Sequence, residues 1–247
     1  MYLWILLYDK AIYPCPSVFI CVYLWFRKMN ELLIGTKNLG KLKEIKSILP
    51  KSLKIKLISL QNIKNAPEIK ETGKTYQANA LKKAFTLFKI TKMSVLAEDS
   101  GLEVKALGNR PGIYSARYSG FGANPEKNNQ KLLKELAGIP LSKRTARYRC
   151  VAVLIMPSTL RTVSPQSESA KDEGRKTRGE ITITEGICKG KIALEPSGKK
   201  GFGYDPLFIP DGYRKTFGQL SQEIKNRISH RTQAIQKLIP PIQKYFL

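Results

Sequence analysis

The chain reads as an α/β protein, and three observations predict it. Short strand-like apolar runs alternate with segments of helical periodicity. A chain of 247 residues with 42% hydrophobic side chains suffices for one sizeable core. No internal repeat divides it. One domain over residues 29–247 is the expected organisation.

Ahead of that domain, Met1–Tyr8 and Ser17–Phe26 are apolar but are interrupted by Asp9-Lys10, Pro14 and Pro16. A bilayer span needs about 20 apolar residues, and neither run approaches that. The positive charge and small-residue cleavage site of a secretory signal are also missing. Residues 1–28 are therefore read as an apolar extension preceding a start at Met29, with a weak membrane anchor as the alternative.

From Met29 onward, Glu31–Gly35 predicts a buried strand, and Gly40–Leu49 a helix with Leu42, Ile45, Ile48 and Leu49 on one face. A second helix follows Gly73 through Asn79, Ala80, Ala84 and Phe88. Val95–Ala97 reads as a strand delivering Glu98-Asp99-Ser100-Gly101 into a turn. A helix over Glu126–Leu136 and a long strand over Ala146–Met156 come next. Residues 157–179 hold almost no large apolar side chains, so they predict a disordered surface insertion between two strands. Strand structure resumes at Ile181, Gly198–Pro206 reads as a glycine-rich loop, and 229–246 as a terminal helix interrupted by Pro240-Pro241.

The net charge of +24 comes from 43 Lys and Arg against 19 Asp and Glu. Lysine is spread along the whole chain rather than gathered in a recognition stripe, which fits solvated faces and a phosphate-attracting cleft better than a nucleic-acid partner. Cys15, Cys21, Cys150 and Cys188 form no metal-binding pair and imply no disulfide framework, so a reducing, cytoplasmic location is expected.

Four segments can carry chemistry. Thr36-Lys37-Asn38-Leu39-Gly40-Lys41 joins a strand to a helix and offers free N–H groups, a helix N-terminus and a lysine to an anion. Asp99, with Glu71 before the Gly73 turn, supplies the few carboxylates that Mg2+ takes beside phosphate oxygens. In Gly201-Phe202-Gly203-Tyr204-Asp205-Pro206, glycines allow close approach and the aromatics suit a flat base. Lys225 with Ser229-His230-Arg231 gathers donors suited to a keto oxygen or phosphate. Taken alone, the first, second and fourth segments read more readily as an ordinary strand-to-helix turn, a common turn and a helix cap, and only for Gly201–Pro206 are the two readings even.

Taken together and in order, with Glu71-Thr72-Gly73-Lys74-Thr75-Tyr76, Pro111 to Arg117 and Glu223 to Asn226, these segments resemble the inosine triphosphate pyrophosphatase family over residues 31 to about 238. The resemblance implies an elongated mixed β-sheet with flanking helices, two lobes around a nucleotide cleft, and a homodimer. It implies Mg2+-dependent hydrolysis of ITP, dITP and XTP to the monophosphate and pyrophosphate. Carried over by position, Thr36 to Lys41 hold the triphosphate, Glu71 and Asp99 bind the metal, and Asp99 is also the proton acceptor. Ser100 contacts substrate, Phe202 to Asp205 pack on the base, and Lys225, His230 and Arg231 complete the pocket.

The sequence departs from the family pattern in places. Lys70 stands where a second acidic residue is common, with Glu68 as a substitute carboxylate. Glu98 replaces the more usual Asp, and Lys199-Lys200 precede Gly201 where small residues are common. Two alternatives remain at this point: a related pyrophosphatase of other base preference, and a catalytically inactive nucleic-acid-binding relative.

Overall fold

A computed structural model describes residues 30–63, 65–158 and 179–246. The expected extension at 1–28 lies outside the described residues, as does the expected insertion except for its edges.

The elements run β1 (Glu31–Ile34), α1 (Leu39–Ile48), β2 (Lys56–Ser59), α2 (Tyr76–Thr91), β3 (Ser94–Val104), β4 (Arg110–Pro111), α3 (Pro125–Glu135), β5 (Thr145–Pro157), β6 (Gly179–Ile192), β7 (Phe208–Pro210), α4 (Gln222–Ile228), α5 (His230–Gln236) and α6 (Ile239–Phe246). The strands form one mixed sheet in the order β2-β1-β3-β5-β6-β7, with β4 beside the end of β3. β1 runs parallel to β2 and β3, whereas β3–β5, β5–β6 and β6–β7 are antiparallel.

Alternation along β3 and β5 divides the core, because successive strand side chains point to opposite faces. Leu96, Cys150, Ala152 and Leu154 meet α1, α5 and α6 on one face. Val95, Ala97, Val151, Val153 and Ile155 meet Tyr76, Ala80, Ala84, Leu87 and Phe88 of α2 on the other. Past Gly101, a separate cluster of Leu102, Val104, Tyr148, Phe208, Phe217 and Leu132 builds a second lobe. The apolar stripe of α2 follows from helical spacing. Thr75 starts the helix by accepting Ala78 N–H at 3.0 Å, and Lys92, in the left-handed conformation, ends it.

Three expectations are corrected. Glu98 to Gly101 form no turn: they lie mid-strand in β3, with Asp99 opposite Val151 and Gly101 opposite Arg149. The antiparallel ladder outweighs the turn preference of Asp-Ser-Gly, and Gly101 serves packing, since a Cβ there would lie 2.3 Å from Gly112 O. The terminal helix is two helices that part before the prolines. Pro240 and Pro241 instead sit in the first turn of α6, where a missing N–H costs least. Pro157 and Gly179, taken as edges of the insertion, pair with each other and close the β5–β6 ladder.

Candidate active site

Two neighbouring cavities, of about 270 and 250 Å³, lie where the lobes meet, and Asn38, Lys41 and Ala116 line both. The first is bounded by Ser100, Gly101, Ser115, Asn128, Phe202 to Asp205, Lys225, His230 and Arg231. The second is bounded by Gly35, Thr36, Lys37, Glu68, Glu71 and Lys83. Leu39 and Gly40 of the phosphate-binding segment border neither, Leu39 being 63% exposed, and Asp99 also lies outside both linings, beneath Lys83. Lys199 and Lys200 are exposed and border neither cavity.

The β1–α1 turn is held by its own side chains. Asn38 N–H donates to Thr36 Oγ1 at 3.2 Å, and Lys41 N–H donates to the Asn38 cap at 3.1 Å. Gly40 is required by contact: a Cβ would lie 2.5 Å from the Phe202 ring. That contact joins the turn to the aromatic loop from the other lobe.

Below the second cavity, the Lys83 ammonium lies 2.8 Å from Glu71 Oε1 and 3.4 Å from Asp99 Oδ1. Asn79 Nδ2 donates to Asp99 Oδ2 at 3.0 Å, and Arg117 reaches the second Glu71 oxygen at 3.3 Å. Burial raises the Asp99 carboxyl above its ordinary value; Lys83 pulls it back and Glu71 pushes it further up. Burial also acts on Glu71, but Lys83, Lys41 and Arg117 together outweigh it and hold that carboxyl low. These two carboxylates already converge on one cation, as a shared divalent ion requires. Among the described residues no cluster of three metal-ligating side chains is present, and Mg2+ needs only one or two carboxylates when phosphate supplies the rest. The residues fit the ion.

The first cavity is walled by a buried ion network. Glu44 receives Lys225 at 2.7 Å and also Arg231, and Lys225 bridges to Asp205. Arg231 donates to Ser100 Oγ at 2.9 Å and stands 3.7 Å from Glu98, which Lys41 meets at 2.7 Å. Asp205 also accepts Phe202 N–H at 2.7 Å, and Lys225 lies 4.8 Å from the Phe202 ring centre. Tyr204 is anchored by its hydroxyl on Ser115 O at 2.8 Å. His230 stacks on Tyr148 at 4.6 Å. Burial, with Arg231 and Lys225 close by, keeps its imidazole neutral, and its Nδ1 is buried without a partner.

All but Leu39 of the residues expected at the site thus line or underlie one cleft. Sequence reasoning gave no role to Glu44, Lys83 or Arg117. Lys83 follows Asn79 by four residues, so helical spacing places it on the same stripe, and that signal was readable. Glu44 sits among surface-like lysines in α1, and nothing local marks it as the hub of a buried network.

A mixed sheet whose two lobes enclose an aromatic, donor-rich cavity continuous with a cationic and acidic one defines a protein that takes a flat ring at one end and a polyanion at the other. The comparisons are specific: the model of the Ham1 family matches residues 32–241, and the chain belongs to that family. It is 42% identical over 216 residues to a dITP/XTP pyrophosphatase of Rhodopirellula baltica, covering 87% of this chain and 94% of the relative. It is 43% identical over 212 residues to the Bacillus subtilis dITP/XTP pyrophosphatase, covering 85% and 96%. A solved Ham1 protein from Coxiella burnetii superposes with a TM-score of 0.70 at 36% identity, over 87% and 98% of the two chains.

Proposed function

We infer that the chain is a nucleoside triphosphate pyrophosphatase that converts ITP, dITP and XTP to monophosphate and pyrophosphate, keeping these bases out of DNA and RNA. The observation that carries this reading is the pair of cavities sharing Asn38 and Lys41. One suits a purine, and the other brings carboxylates and cations together where a triphosphate would lie.

In this reading Thr36 to Lys41 grip the triphosphate, with Lys41, Lys83 and Arg117 offsetting its charge. Glu71 and Asp99 would hold Mg2+, which would supply charge neutralisation and orientation of the attacking water. Asp99 accepts that water's proton, and Asn79 fixes its orientation. Phe202 packs on the base, and Tyr204 and Asp205 hold the loop that carries it. Ser100, held by Arg231, faces the substrate. Neutral His230, beside Arg231, offers a donor to the position-6 oxygen of hypoxanthine or xanthine. Adenine carries an amine there, so the donor would be left unpaired, at a cost of about 1–3 kcal/mol. The enzyme works as a homodimer in the cytoplasm.

Pyrophosphate release from ITP, XTP, dITP, ATP and GTP, with and without Mg2+, tests the reading. Strong Mg2+-dependent release from the first three, with little from ATP and GTP, is expected. Equal release from all five would remove the base preference, and no release with salt-sensitive binding to DNA would favour the nucleic-acid alternative.

A further inference from the structure

The cleft is flanked by two copies of one local pattern. Gly201-Phe202-Gly203 and Gly120-Phe121-Gly122 each place a phenylalanine between glycines of positive φ, +76° and +63° in the first, +90° and +66° in the second. Their surroundings differ. Phe202 lies against Gly40, beneath Lys225, and lines the first cavity. Phe121 stands wholly in solvent, with a relative exposure of 108%, at the corner of a β-turn closed by Ala123 N–H to Gly120 O at 3.2 Å.

That turn stands at the cavity mouth. Ala123, Asn124 and Pro125, immediately after it, line the cavity, and so does Asn128 one turn into α3. Asn129 of the same helix donates to Gly203 O at 3.1 Å, tying the base of one tip to the other. The turn is rooted by Ser119 N–H donating to Asn128 Oδ1 at 2.8 Å, while a Cβ on Gly120 would meet nothing within 4 Å. The root is therefore fixed, while the Phe121 ring packs on nothing and the tip is held only by a long Lys127 Nζ contact to Gly122 O at 3.5 Å, and glycines at both ends permit backbone rotation.

We propose that Phe121 is the second aromatic wall of the base site, closing over the purine face opposite Phe202. A purine has two π faces, and Phe202, fixed by Gly40 and Lys225, can cover only one. Covering the other removes both the base and an exposed phenyl ring from water. Phe121 is thus a specificity residue for flat bases rather than part of the phosphate chemistry. The proposal rests on the nucleotide reading above.

Steady-state hydrolysis of ITP by the full chain and by Phe121→Ala, Phe121→Leu and Phe121→Tyr tests it. Phe121→Ala should raise KM for ITP about 5- to 100-fold, the range that base–aromatic stacking supplies. Phe121→Tyr should restore the wild-type value and Phe121→Leu should not. The exposed ring supports no core, so these variants keep the wild-type melting temperature. Phe121→Trp provides a second readout, because the other tryptophans, Trp4 and Trp25, lie in the extension. Its fluorescence should shift on adding IMP and stay unchanged on adding pyrophosphate. A wild-type KM in Phe121→Ala, or fluorescence of the Phe121→Trp variant that is indifferent to IMP, overturns the proposal. A wild-type chain that releases no pyrophosphate from any nucleotide overturns the functional reading itself, and this inference with it.

Discussion

The two ends of the cleft are both built from ion pairs, yet they hold their charges differently. At the base end, Glu44, Lys225, Asp205 and Arg231 are almost fully buried and pair with one another, Arg231 Nε alone among them lacking a partner. At the phosphate end, Asp99 is buried as well, but Glu71 is partly open, and Lys83 is the cation shared by Glu71 and Asp99. A closed network resists rearrangement, because a carboxylate stripped of its partner in a dry site is costly. A pair with one partner open to water, as Lys83–Glu71 is, can exchange its lysine for a metal or a phosphate oxygen at smaller cost, because water screens the open group while it changes partners. One end keeps its shape, and the other is free to do chemistry.

The largest expected effect lies at the open end. Asp99→Asn should lower kcat by about 10²–10⁴-fold, the range general-base removal gives. Its circular dichroism should stay unchanged, because the amide oxygen still accepts from Asn79. An active Asp99→Asn enzyme would move the chemistry elsewhere. At the closed end, Glu44→Gln leaves Lys225 and Arg231 short of their shared carboxylate. A stability loss of about 3–5 kcal/mol is expected in denaturant unfolding. A loss below about 1 kcal/mol would mean that the network is no more closed than its counterpart.

Gly40→Ala probes the junction of the two ends. The methyl group collides with Phe202, so a cost of about 1–3 kcal/mol is expected. It should be read mainly as a raised KM for ITP. The smallest effect concerns pH and stability. His230 is neutral when folded, with a pKa well below the ordinary 6.5. The unfolded chain therefore binds the extra proton first, and stability falls as pH drops below about 6.5. His230→Gln should remove that part of the slope and leave stability above pH 7 without its contribution.

The same contrast explains what was legible in the sequence. The patterns of α1, α2 and α3 were readable because each buries one periodic face, and those of β1 and β5 because they are continuous apolar runs buried on both faces. The short β2, β4 and β7 carry too few residues to show a period. Thr36 to Lys41, Asp99, Phe202 and His230 stood out as local motifs. Glu44 did not, since its partners Lys225 and Arg231 lie more than 180 residues away and only the fold joins them. The Asp99 segment was recognised for its chemistry and misread for its conformation, because the ladder partner that straightens it lies some fifty residues on, in β5.

The division of labour is tested most directly by the pH profile of kcat for pyrophosphate release from ITP, wild type beside His230→Gln. The expected result is one acidic limb, at the same pH in both proteins, since Asp99 takes the proton and His230 only orients the base. An acidic limb that shifts or disappears with His230 would contradict this, placing the proton acceptor at the base end.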